Sequence, residues 1–171
     1  MRNILALFFF TVILVNLTAQ TYNERIIDPI SGEEILYGKV TWDGLKETPF
    51  NTWFEEEYNN YELESDIIEV LDRDVLSTWF VTIVMGSWCS DSQRELPRFY
   101  KIWENLGLDF ETITIIGVDS EKAGPLGMTD SLSIERVPTF IFYQCNMELG
   151  RVVESPEESL EKELFRVLYE F

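Results

Sequence analysis

From about residue 78 onward the apolar positions switch between two periods. Residues 79–85, Trp-Phe-Val-Thr-Ile-Val-Met, form an unbroken apolar and largely β-branched run, the pattern of a strand buried on both faces. Residues 90–106 change to helical spacing, with Leu96, Phe99, Tyr100, Ile102 and Trp103 on one wide apolar face. Pro97 falls inside this helix, where it removes a backbone donor and crowds the preceding turn. Residues 112–118 predict a second buried strand and 138–143 a third. Residues 151–153 then pair back after a turn over 146–150. Ser155-Pro156-Glu157-Glu158 has the form of a capping box with proline at the first helical position. It predicts a closing amphipathic helix through Leu160, Leu164, Val167 and Leu168. The order strand, helix, strand, loop, strand, strand, helix specifies an α/β domain with a central mixed sheet flanked by helices.

Upstream the periodicity is weaker. Residues 20–50 are rich in turn signals, Asp28-Pro29-Ile30-Ser31-Gly32 and Trp42-Asp43-Gly44, and predict a small strand or an irregular arm. Residues 51–61 carry Trp53, Phe54 and Tyr58 at helical spacing, a short helix packing on the main domain. Ser65 is placed to cap a helix over 66–71, where Ile67, Ile68 and Leu71 share a face. The first nineteen residues have the layout of a secretory signal peptide: Arg2 as the charged start, an apolar run over 4–15, and Leu17-Thr18-Ala19 before the cut. That run is shorter than the ~20 residues needed to cross hydrocarbon, so no stable membrane span is expected after cleavage. The expected organisation is therefore 1–19 signal peptide, 20–65 N-terminal extension and 66–171 main domain. The expected location is outside the cytoplasm, periplasmic or secreted.

A chain of 171 residues with 46% hydrophobic and 14% aromatic content can bury a substantial core. A formal charge of −18 excludes a nucleic-acid backbone as the natural partner and disfavours an anionic bilayer surface. With no histidine, Cys–His and Ser–His–Asp catalysis and His-ligated metals are excluded. No cofactor or metal is called for.

The chemistry concentrates at Ser87-Trp88-Cys89-Ser90-Asp91-Ser92, where the first buried strand hands over to the helix. A cysteine there faces unpaired backbone N–H groups and the positive end of the helix dipole, which favour the thiolate, the reactive form. Asp91 opposes that effect. Arg94 lies about 140° round the helix axis from Cys89 and does not answer the sulfur directly. Ser92, one turn on, can donate a hydrogen bond to the sulfur but cannot resolve a mixed disulfide. Cys145 follows the third strand. That strand carries it ~23 Å from its start at ~3.3 Å per residue, beyond the ~7 Å limit between disulfide Cα atoms.

The order of elements and three local features resemble the thioredoxin superfamily. Trp88-Cys89-x-x-Ser92 is similar to its W-C-x-x-C motif, and Pro97 matches the proline that kinks its active-site helix. Arg136-Val137-Pro138-Thr139-Phe140 is similar to its cis-proline signature. The resemblance covers roughly residues 66–171. It is narrowest to exported bacterial thioredoxin-like proteins carrying W-C-x-D-S. It implies a thioredoxin-like fold with an N-terminal extension, a cis peptide before Pro138, a substrate groove formed by Trp88, Arg136, Val137 and Pro138, and Arg136 as the candidate counter-charge facing Cys89. Two departures go together. Ser92 replaces the second thiol, and Ile83 stands where many members keep the buried aspartate that manages that thiol's proton.

The reading that results is thiol–disulfide exchange through Cys89 and Ser92. Its partners are disulfide- or thiol-bearing proteins or small molecules, and an external thiol recycles the site. The competing class is a non-catalytic peptide-binding module, in which Trp88 is an ordinary half-buried core residue and Arg136 a surface residue paired with Glu135. A thiol peroxidase is the weaker alternative, because the threonine and arginine that activate such a cysteine are missing.

Overall fold

The computed structural model describes residues 21–170, so the predicted signal peptide lies outside the described residues. Six strands form one sheet in the order β1-β2-β4-β3-β5-β6. They are β1 (Glu24–Ile27), β2 (Glu34–Val40), β3 (Phe80–Met85), β4 (Ile113–Gly117), β5 (Thr139–Gln144) and β6 (Met147–Val153). β3 and β4 run parallel across the helical crossover, and every other neighbouring pair is antiparallel. The helices are α1 (Trp42–Leu45), α2 (Asn51–Asn60), α3 (Ser65–Ile68), α4 (Arg73–Leu76), α5 (Ser90–Asn105) and α6 (Leu160–Tyr169).

The strand pairing fixes which side chains share a face. Val81, Ile83, Ile115, Phe140, Phe142 and Val152 point to one side, where they meet Leu96, Phe99, Ile102 and Trp103 of α5 and Leu160, Leu164 and Val167 of α6. Phe99 stacks on Trp103 and lies against Phe140, so the helix and the two central strands interlock through aromatic rings. The opposite face is covered mainly at the C-terminal end of β3. There the 119–137 connection packs Met128, Leu132 and Ile134 on Val84, Ile116, Val118 and Val137. This is an α/β fold of thioredoxin-like architecture with an N-terminal extension.

The extension is more ordered than its turn-rich sequence suggests. β2 pairs with β4 from Gly38 to Val40, and Leu36, Val40, Leu45, Phe50 and Phe54 enter the main core. Its period is obscured because Ile35 and Leu36, on opposite faces, are both fully buried. Asp28 fastens the β1–β2 turn to the exit of β4. Its buried carboxylate accepts from the Ser31 and Ile30 N–H groups and from both the N–H and hydroxyl of Ser120. Burial alone would raise its carboxyl, but these donors outweigh it and hold it well below the usual carboxylate range.

Three local expectations are corrected. Ser65 is the first residue of α3, and Glu64 occupies the cap position. The β5–β6 turn is the two-residue Cys145-Asn146, both with positive φ, while Gly150 lies inside β6 opposite Phe142 beside a bulge. α6 is capped by Ser159, not by Ser155, because the Ser155 hydroxyl is taken by Arg94 at 2.7 Å. Ser159→Ala should therefore lower stability by about 1 kcal/mol in denaturant unfolding, and Ser155→Ala should not loosen the helix start. Among the described residues no helix is long and apolar enough to cross a membrane.

Candidate functional site

β3 ends at the fully buried Met85, and the chain turns through Gly86-Ser87-Trp88 before α5 begins. The turn closes with a bond from the Cys89 N–H to the Gly86 carbonyl (2.9 Å). A Cβ on Gly86 would sit 2.6 Å from the Trp88 indole, so glycine alone lets the ring lie over the strand end. The indole Nε1 donates to the Val118 carbonyl at 3.0 Å, tying Trp88 to the end of β4. Trp88 is thus half-buried and anchored.

Cys89 is the N-cap residue of α5, in extended conformation, and its side chain makes no capping bond. Among the described residues nothing outside the helix accepts from its first-turn N–H groups, which stand beside a half-buried thiol. The sulfur instead lies 3.3 Å from the Val137 carbonyl, to which the thiol donates. The Val137–Pro138 peptide is cis, as the resemblance implies. Around it the Arg136 carbonyl accepts from the Thr139 hydroxyl (2.6 Å) and the Pro138 carbonyl accepts from the Glu154 N–H (2.7 Å). The Val137 N–H has no acceptor among the described residues.

The other predicted residues are placed differently from the simplest expectation. Ser92 is fully buried, and its hydroxyl accepts from the Gly86 N–H at 3.2 Å, so it braces the strand end and, among the described residues, is not hydrogen-bonded to the sulfur. Arg136 is 65% exposed and pairs with Glu154 at 2.6 Å, which makes neither Cys89 nor Glu135 its partner. Ile83 is fully buried in the core, leaving no carboxylate at that position. Cys145 is a free, exposed thiol at the tip of the β5–β6 hairpin, and Cys89 is free as well.

Sequence reasoning missed two supports. Ser87 is buried and accepts from the Leu36 N–H at 3.0 Å, so β2 of the extension holds the turn that carries Cys89. Gln93 caps the same turn by donating to the Ser87 carbonyl at 2.8 Å. Arg94 is the second support. It donates to Asp91, to Glu95 and to the Ser155 hydroxyl, each at 2.7 Å. Asp91, the residue expected to oppose the thiolate, is thus engaged by a guanidinium, which offsets its field beside Cys89. The i, i+3 spacing of Asp91 and Arg94 is the signal that was available for this pair.

No protein-family model matches the chain, and no curated protein matches it. Among solved structures, it is similar to a protein of unknown function from Pseudomonas aeruginosa, at 16% identity, covering 68% of each chain with a TM-score of 0.42. It is also similar to mitochondrial thioredoxin 3 from Saccharomyces cerevisiae in its oxidized form, at 12% identity over 58% of this chain and 86% of that one, TM-score 0.38. Oxidized thioredoxin O2 from Arabidopsis thaliana has 16% identity over 63% of this chain and 84% of that one, TM-score 0.38. What the strand order of the chain itself establishes is the fold, a six-stranded mixed sheet of thioredoxin-like architecture flanked by helices.

Proposed function

We propose that the protein carries out thiol–disulfide exchange outside the cytoplasm through the single nucleophile Cys89. The observation that carries this reading is the position of its sulfur: at the N-cap of α5, making no capping bond, and against the carbonyl that precedes cis-Pro138. The Cys89 thiolate attacks one sulfur of a substrate disulfide. A Cys89–substrate disulfide forms, the substrate S–S bond breaks, and the second substrate sulfur leaves as a thiolate. A thiol from outside, or a second thiol of the same substrate, then attacks the mixed disulfide and returns Cys89 to its thiolate. No net electrons pass to the protein, which suits isomerisation or removal of small-thiol caps. The free Val137 N–H offers a backbone donor to an extended substrate segment, and Trp88 offers an apolar edge beside it.

The test uses the chain with Cys145→Ala, so that Cys89 is the only thiol. Incubation with oxidised glutathione or with a disulfide-bonded protein should give a mass-resolved mixed disulfide that is absent when Cys89→Ala is added. Peroxide consumption should be negligible. If Cys89 is alkylated no faster than free cysteine and no adduct forms, the groove serves binding alone.

A further inference from the structure

We propose that the cleft at the open end of the β2–β4 seam binds a small zwitterion with a planar apolar body, the chemical class of the aromatic amino acids. β2 pairs with β4 only as far as Val40 opposite Ile115. The first residues of β4, Ile113 and Thr114, therefore have β3 on one side and, among the described residues, no paired strand on the other. This divergence opens a cleft of about 470 Å³ walled by Trp42, Tyr100, Phe110, Ile113 and Ile115. It lies at the N-terminal end of β3, where Val81 pairs with Ile113, whereas Cys89 follows the C-terminal end. The two sites are separate, and this proposal does not rest on the thiol chemistry.

The walls fit a planar body. Tyr100 stacks on Phe110 with centroids 4.6 Å apart, and Trp42 meets the two rings edge-on at 5.1 and 5.8 Å. Rings locked by one another present a preformed surface, so a ligand plane need not organise it. The Trp42 indole Nε1 is buried behind this wall with no acceptor among the described residues, so its N–H signal reports on how the rings pack.

The charges fit a zwitterion better than either ion alone. The Lys46 ammonium lies 3.9 Å over the Tyr100 ring and has no carboxylate partner among the described residues. Lys39 lines the same cleft. So do the exposed Asp43 and Glu111, whose carboxylates are likewise unpaired among the described residues. A cation on an open aromatic face is held weakly, and the flexible lysine stem can move its ammonium onto a ligand carboxylate while the ring takes the ligand's plane. Asp43 and Glu111 then accept from the ligand ammonium.

The full chain is titrated with L-phenylalanine, 3-phenylpropionate and phenethylamine. Binding is followed in ¹H–¹⁵N spectra by the Trp42 indole N–H and the Ile113 and Ile115 amides, with the indole signal assigned by its loss in Trp42→Phe. Phenylalanine should shift these signals saturably and bind at least about tenfold more tightly than either single-charge analogue. Lys46→Met should weaken phenylalanine about tenfold and leave phenethylamine unchanged, because only the first presents a carboxylate to Lys46. Equal binding of all three ligands, equal effects of Lys46→Met on phenylalanine and phenethylamine, or signals that do not move would each overturn the proposal. An unchanged Cys89 alkylation rate in Lys46→Met serves as the check that the fold is intact.

Discussion

Ser92→Cys, in the Cys145→Ala background, is expected to shorten the lifetime of Cys89 mixed disulfides by at least about a thousandfold and to create net disulfide reductase activity. Position 92 lies one helical turn beyond Cys89, and side chains three apart on a helix have Cβ atoms about 5–6 Å apart, a separation that small adjustments close to bonding distance. The parent protein must wait for an outside thiol at millimolar level, whereas a thiol fixed one turn away acts with an effective concentration orders of magnitude higher. That thiol attacks the Cys89 sulfur, the substrate leaves as a thiolate, and an intramolecular disulfide remains. Dithiothreitol supplies the two electrons for the next turnover. Two structural features work against full activity. Ser92 is fully buried and accepts from the Gly86 N–H, for which sulfur is a poorer acceptor. No carboxylate stands at position 83 to take the new thiol's proton. Adduct decay followed by quenched mass spectrometry isolates the attack step from proton management. Adducts as long-lived in Ser92→Cys as in its parent would mean that a side chain at the buried position 92 does not reach the Cys89 sulfur.

How much of this was legible in the sequence depends on the range of the interactions. The handover from β3 to α5 shows as a change of period within a few residues, and Cys89 sits at the predicted boundary. The closing hairpin and last helix were legible as elements but not at their ends. The Ser155 cap is displaced because its hydroxyl meets Arg94 from another element, 61 positions away. Ser92 illustrates a different limit. Its helical spacing relates it to Cys89, but its hydroxyl turns inward to an unpaired N–H at the strand end, which spacing cannot reveal. The bond between Ser87 and Leu36 spans 51 positions and makes the extension a support of the site. The turn-rich 20–50 segment carries no local mark of that role. Arg136 shows the reverse case, since the candidate Glu135 was near in sequence and the actual partner, Glu154, is the residue that follows β6.

Arg94→Ala is expected to destabilise the protein by about 2–3 kcal/mol at pH 8 and by markedly less at pH 5. The reason is Glu95, whose side chain is only 2% accessible and whose Oε1 accepts from Arg94 at 2.7 Å. Its Oε2 has no partner. The other cation near it, Arg98, stands 3.8 Å from Oε1 and pairs more closely with Glu57 at 2.6 Å. Burial pushes the Glu95 carboxyl above its ordinary value, with Arg94 and Arg98 pulling it part of the way back and Glu57 adding to the rise. A carboxyl with a raised folded pKa binds its proton more tightly when folded. Its contribution to stability is therefore fullest at low pH and is lost as pH climbs from about 4.3, the unfolded value, through the folded one. Without Arg94, burial acts with less opposition and that loss runs further, so the gap between variant and parent widens with pH. The magnitude sits at or below the low end for breaking a buried pair, because Arg94 is about one-third exposed and solvent screens it. Denaturant unfolding at pH 5, 6.5 and 8 measures the gap. In a Glu95→Gln background, where no proton titrates, the pH dependence of the gap should vanish. A gap that stays flat with pH in the parent background would place the contribution of Arg94 in its contacts with Asp91 and Ser155 instead.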